Sequence, residues 1–75
     1  MPSYLVESYC PQAPLVGELG MPDRLAGQPV RHVRATFVPS DEMFLHVIEA
    51  ASIETAEQSL RDAGVIYERI VEVIE

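Results

Sequence analysis

Two histidines, His32 and His46, are the only imidazoles in the 75-residue chain, and each lies in a run that reads as a β-strand. Neutral imidazole is a borderline-soft nitrogen ligand, and a nearby carboxylate supplies charge compensation, so two histidines beside Glu7 would suit a divalent transition metal. His46, His32 and Glu7 are accordingly the candidate metal ligands, and Tyr9 and Arg34 are candidate contacts for a small ligand. The spacing is long-range and matches no sequential metal motif such as HExxH or paired CxxC. The same groups would also serve acid–base chemistry, with His46 or His32 as base and Arg34 holding an anionic substrate. Against both stands a plainer reading, in which His32 is an exposed strand residue and His46 a hydrogen-bonded interface residue. Cys10 follows the first strand and precedes Pro11; it reads as a small buried residue before it reads as a ligand or reactive thiol.

Whether these groups meet depends on the hairpin between Val30 and Ala50. Successive side chains point to opposite faces of a strand, and a slip of one residue exchanges the faces. A three-residue loop, Pro39, Ser40 and Asp41, with Asp41 left-handed, pairs Val38 with Glu42. It sets Leu45 and Val47 beside Val33, Ala35 and Phe37 on an apolar face, and His46 beside His32, Arg34 and Thr36 on the other. A four-residue loop separates the histidines. The three-residue register sorts apolar from polar side chains more cleanly and is the expectation.

The remaining elements follow from local signals. Ser3 to Tyr9 alternates as a first strand, with Tyr4 and Val6 toward the core and Leu5, Glu7 and Tyr9 on the far face. Cys10 to Pro29 holds four prolines and three glycines, too many for one long helix, and reads as short turns: one after Pro22 that stops at Gly27, another around Leu15 to Leu19. Ser52 is placed to cap a helix over Ile53 to Ala63 that Gly64 terminates, with Ile53, Ala56, Leu60 and Ala63 as its buried stripe. A last strand runs from about Ile70 to Ile74.

The order is βαββαβ, an α+β ferredoxin-like domain with a four-stranded antiparallel sheet that spans residues 1–75 and carries its helices on one face. The other face is expected to present Leu5, Phe44, Ile48, Ile70 and Ile74. A chain of 8.3 kDa has a small core, so a homodimer with the sheets face to face, a dimeric α/β barrel, is the natural solution.

The runs YLVE, VIEAASIETAEQSLRDAG and ERIVEV resemble a family of small ferredoxin-like proteins once labelled only as a domain of unknown function, one member of which is a nickel-binding protein. The resemblance covers Ser3–Tyr9 and Val30–Val73 and departs between Cys10 and Pro29, where the family's first helix is longer. It implies a dimeric α/β barrel and adds weight to metal binding; with the imidazole and carboxylate candidates, the cofactor expected is a divalent metal, nickel or zinc.

Composition narrows the partners. The net charge is −7 and arises entirely after Ser40, and the chain has no lysine; a phosphate-binding surface needs clustered Lys and Arg, so nucleic acid is not an expected partner. A single cysteine permits no internal disulfide, and no run approaches the ~20 apolar residues that span a bilayer. The expectation is a cytoplasmic protein without membrane partners or organic cofactor. Two functions fit: a dimeric protein binding a divalent metal or small ligand in the cavity between its sheets, or a cofactor-independent isomerase, cyclase or monooxygenase acting on a small organic acid or polyketide-like substrate. A structural partner-binding domain is the third.

Overall fold

The computed structural model describes residues 1–9 and 22–74. Four strands, β1 (Ser3–Tyr9), β2 (Val30–Val38), β3 (Met43–Ala50) and β4 (Arg69–Val73), form one antiparallel sheet in the order β2-β3-β1-β4. A helix, Ile53–Asp62, lies between β3 and β4, and residues 22–25 are helical ahead of β2. This is the ferredoxin-like α+β fold expected from the element order. The turn expected around Leu15 to Leu19, and Cys10, lie outside the described residues.

Local chemistry places the 53–62 helix where the sequence predicts it. The Ser52 hydroxyl accepts the Thr55 N–H at 3.1 Å, satisfying one donor of the first turn, with Glu54 at the positive end of the helix dipole. Gly64, at φ 74°, closes the other end in the left-handed region where a side chain is costly. Gly27 does the same after residues 22–25, at φ 85°. Ala56 and Leu60 are fully buried and pack with Tyr4, Val6, Leu25, Ile48 and Ala50, while Ile53, Ala63, Val30 and Ile70 close the margin of this core.

The hairpin register differs from expectation. Val38 pairs with Met43, so the loop is the four-residue Pro39–Glu42, and Glu42 rather than Asp41 is left-handed, at φ 54°. The faces of β3 are therefore exchanged: Phe44, His46, Ile48 and Ala50 point toward the helix, and Met43, Leu45, Val47 and Glu49 away from it. Pairing with β1 enforces the same choice, with Tyr4 opposite Ile48 and Val6 opposite His46. The reason is the company each set keeps. Burying Leu45 and Val47 beneath the helix would bury the Glu49 carboxylate with them, whereas the other set holds only one polar group, a histidine that can be neutral.

The outward face is corrected accordingly. Phe44, Ile48 and Ile70 belong to the helix side, and Ile74 lies beyond β4, almost wholly exposed. The open face carries Leu5, Leu45 and a buried Val47 on its two inner strands and Val71 and Val73 on the edge strand β4, with the ion pair Arg31–Glu49 (2.8 Å) at one corner and Glu7–Arg69 (2.6 Å) at another.

A left-handed Glu carries a steric cost that Asn largely escapes. Glu42→Asn is expected to stabilise the domain by about 0.5–1 kcal/mol, seen as a higher urea midpoint at unchanged slope; an unchanged or lower midpoint would show the turn is held by other forces.

Candidate functional site: a buried histidine pair

On the helix-bearing face, β2 and β3 bring the two histidines together. His32 Nε2 and His46 Nδ1 are 3.0 Å apart, and the rings meet edge-on with centroids 5.3 Å apart. His46 is 2% exposed and His32 partly buried. The His46 ring stacks on Phe44 (5.6 Å), which in turn touches Phe37 (4.9 Å), so the pair continues into an aromatic wall across the two strands. Ala35, opposite His46, is the small residue between His32 and Phe37 on β2.

The electrostatics follow from burial. Desolvation, and then repulsion from His32, push the His46 pKa down to about 4, and desolvation also lowers that of His32. Both rings are neutral at pH 7, so one donates its N–H to the lone pair of the other. Each neutral imidazole keeps a single proton, and that proton's position on the ring can change without altering charge.

The five sequence-derived site residues divide between the two faces. His32 and His46 come together as expected, but on the helix side and not in a cavity facing a second sheet. Glu7, Tyr9 and Arg34 share the open face. Glu7 accepts both Arg69 Nε (2.9 Å) and Nη2 (2.6 Å), which makes it a surface ion-pair partner and not a ligand beside the histidines. Tyr9 is half-exposed; its N–H donates to Glu68 Oε2 at 2.7 Å and its hydroxyl lies 3.5 Å from Glu42 Oε1. Arg34 is exposed and opposite Val47, with the sheet between it and His46. The expectation of one constellation combining His32, His46, Glu7 and Arg34 is therefore corrected: strand parity puts the imidazoles and the charged groups on opposite sides.

The donor set fits a metal in part. Two nitrogens sharing one divalent ion at about 2.0–2.1 Å stand roughly 3 to 3.5 Å apart, the separation this pair already has. Among the described residues, no group of three or more His, Cys, Asp and Glu side chains converges. Phe37 and Phe44, read from sequence as core and interface residues, turn out to wall the site. Their signal was present as two aromatics flanking the turn at Val38 and Met43, which the four-residue loop sets face to face.

Fold and site together define a small ferredoxin-like α+β protein in which a buried His46 meets a partly buried His32 on the helix-bearing face. No family model matches the chain, and no curated protein matches it. Among solved structures it is similar to that of SCO4226 from Streptomyces coelicolor A3(2), with a TM-score of 0.76 and 17% identity over 95% of this chain and 94% of that one. At that identity the likeness shows the shared fold. Among the described residues, no helix is long and apolar enough to cross a membrane.

The buried pair makes stability depend on pH with a definite sign. Below about pH 6.5 the unfolded chain protonates His46 while the folded chain does not, so the unfolded state binds more protons and stability falls with falling pH down to about 4. The loss across that window is on the order of 3 kcal/mol, with His32 adding in the same direction. Urea unfolding of metal-free protein at pH 7, 5.5 and 4.5 should show the decline, and His46→Gln should flatten it. An equal decline in His46→Gln would show that the ring is not the titrating group.

Proposed function

We propose that this chain is a small dimeric ferredoxin-like protein that binds a divalent transition metal, nickel or zinc, through His32 Nε2 and His46 Nδ1. The observation that carries the reading is the 3.0 Å approach of these two nitrogens in an apolar setting where both rings are neutral. A metal taking both lone pairs requires only that the proton between the rings move to the far nitrogen of its own ring. Glu7 takes no part, and the metal's remaining positions belong to donors outside the pair. A cytoplasmic location is part of the same reading, supported by the single cysteine.

Two features favour binding over acid–base catalysis. A base with a pKa near 4 is far from the operating pH at which proton transfer is efficient. Arg34, the anion clamp of the enzyme reading, faces away from the imidazoles and so cannot hold a substrate carboxylate beside His46. Desolvation leaves the lone pairs available for coordination across a wide pH range, as a binding site requires.

Calorimetric titration with nickel, zinc, copper and cobalt at pH 7.5 should show stoichiometric binding, weakened at least about tenfold in His46→Ala and in His32→Ala. Because desolvation lowers both pKa values, affinity should fall less between pH 7.5 and pH 5.5 than for a pair of ordinary imidazoles, and be lost toward pH 4, where His46 takes up its proton. Absence of stoichiometric binding at pH 7.5, or parental affinity in folded His46→Ala, would remove the metal reading.

The second copy is placed against the open face, where the apolar residues Leu5, Leu45, Val47 and Val71 lie in adjacent rows between the two ion pairs. Sedimentation at micromolar concentration should give twice the chain mass, and Leu45→Glu should give a monomer or an unfolded chain. Phe44→Glu tests something else, since Phe44 is buried on the helix side and its replacement would disrupt the fold directly. A parent that stays monomeric at every concentration would overturn the dimer.

A further inference from the structure

The histidines meet although the turn, taken alone, would keep them apart. From Val38 opposite Met43 to Arg34 opposite Val47 the ladder is regular, and continued unbroken it would set Val33 opposite Ile48 and His32 opposite Glu49 on the open face. The ladder instead skips one residue. His32 stands opposite Ile48, Arg31 opposite Glu49 and Val30 opposite Ala50, while Val33 has no partner in the ladder. One extra residue on one strand is a β-bulge, and beyond it every side chain of that strand changes face.

We infer that the register held by Val30 and Arg31 positions the histidine pair, and that the Val33 bulge takes up the one residue left over between that register and the turn. This inference rests on the reading of the pair as a binding site. Without the bulge, Arg31 would lie opposite Ala50, directed at the core under the 53–62 helix, and Val30 would leave that core. With it, Val30 packs against the core and the Arg31 guanidinium reaches Glu49 at 2.8 Å on the open face. Burying an unpaired guanidinium costs far more than interrupting a ladder at an edge strand. The bulge is thus fixed by the residues before it, and His32 is carried to the side of His46 as a consequence. The histidine is moved by the register and does not create it.

Two variants separate cause from consequence, read by ring-to-ring nuclear Overhauser effects in metal-free protein, by cobalt titration and by circular dichroism. Deleting Val33 restores a regular ladder with His32 still opposite Ile48, so the ring-to-ring signal should persist and cobalt affinity should stay within about threefold of the parent. The exchange His32→Val with Val33→His keeps composition and leaves Arg31 in place. The bulge should persist, the introduced valine should take the inward position, the ring-to-ring signal to His46 should vanish, and cobalt affinity should drop about tenfold, to the level of His32→Ala. A signal that survives the exchange would show that the ladder follows the histidine. Disappearance of the signal on deletion, in a protein that circular dichroism shows to be folded, would mean that Val33 itself is required. Either result overturns the inference. Ring-to-ring signals that behave as stated while no variant binds cobalt would support the positioning role and overturn the metal reading alone.

Discussion

Burying one face of β3 fixes most of this molecule. The strand is hydrogen-bonded on both sides, to β2 and β1, so one of its two side-chain sets must lie beneath the helix. The set with Leu45 and Val47 includes Glu49, and the set with Phe44 and Ile48 includes His46. An ionised carboxylate in an apolar core is costly, whereas an imidazole can give up its proton and go in neutral at a cost of a few kcal/mol. That difference sends Phe44, His46, Ile48 and Ala50 inward, and the helix, β1 and the start of β2 conform to it. The Arg31–Glu49 pair is the outward half of the same decision.

The division separates two kinds of surface. The helix side holds the core and, beyond it, the histidines with Phe37 and Phe44, where desolvation governs the chemistry. The open side holds aliphatic side chains bordered by ion pairs that remain in water and contribute modestly to stability. A ligand at the imidazole pair and a protein partner on the open face therefore need not compete. The expectation of one site facing the dimer cavity merged what the sheet keeps apart.

The elements were legible in the sequence wherever a local signal was decisive. Ser52 and Gly64 bracket the helix, the alternation of Ser3–Tyr9 places Tyr4 and Val6 inward, and residues 22–25 end at a left-handed Gly27. The register was not legible, because it depends on two events one residue in size. The loop is one residue longer than the apolar pattern favours, and the strand carries one extra residue at Val33. The two displacements cancel in parity at His32, so the histidines meet by a route different from the expected one. Nothing cancels at Glu7, whose strand runs regularly against β3, so it faces away from His46. Val33 carries no mark of its own; what betrays the bulge is Arg31 following Val30 where strict alternation would turn the guanidinium inward.

That conflict bears on what the pair is suited to do. Two imidazoles held side by side by backbone register, flanked by Phe44 and the small Ala35, cannot readily rotate away from each other without disturbing the packing around them. Burial fixes their charge as it fixes their position, because protonating either ring would place a cation in an apolar setting next to the other. A group constrained in this way is a poor vehicle for moving protons, which requires both charge states to be accessible near neutral pH. It is a good vehicle for offering lone pairs in constant geometry and constant charge, which is what coordination of a divalent ion demands.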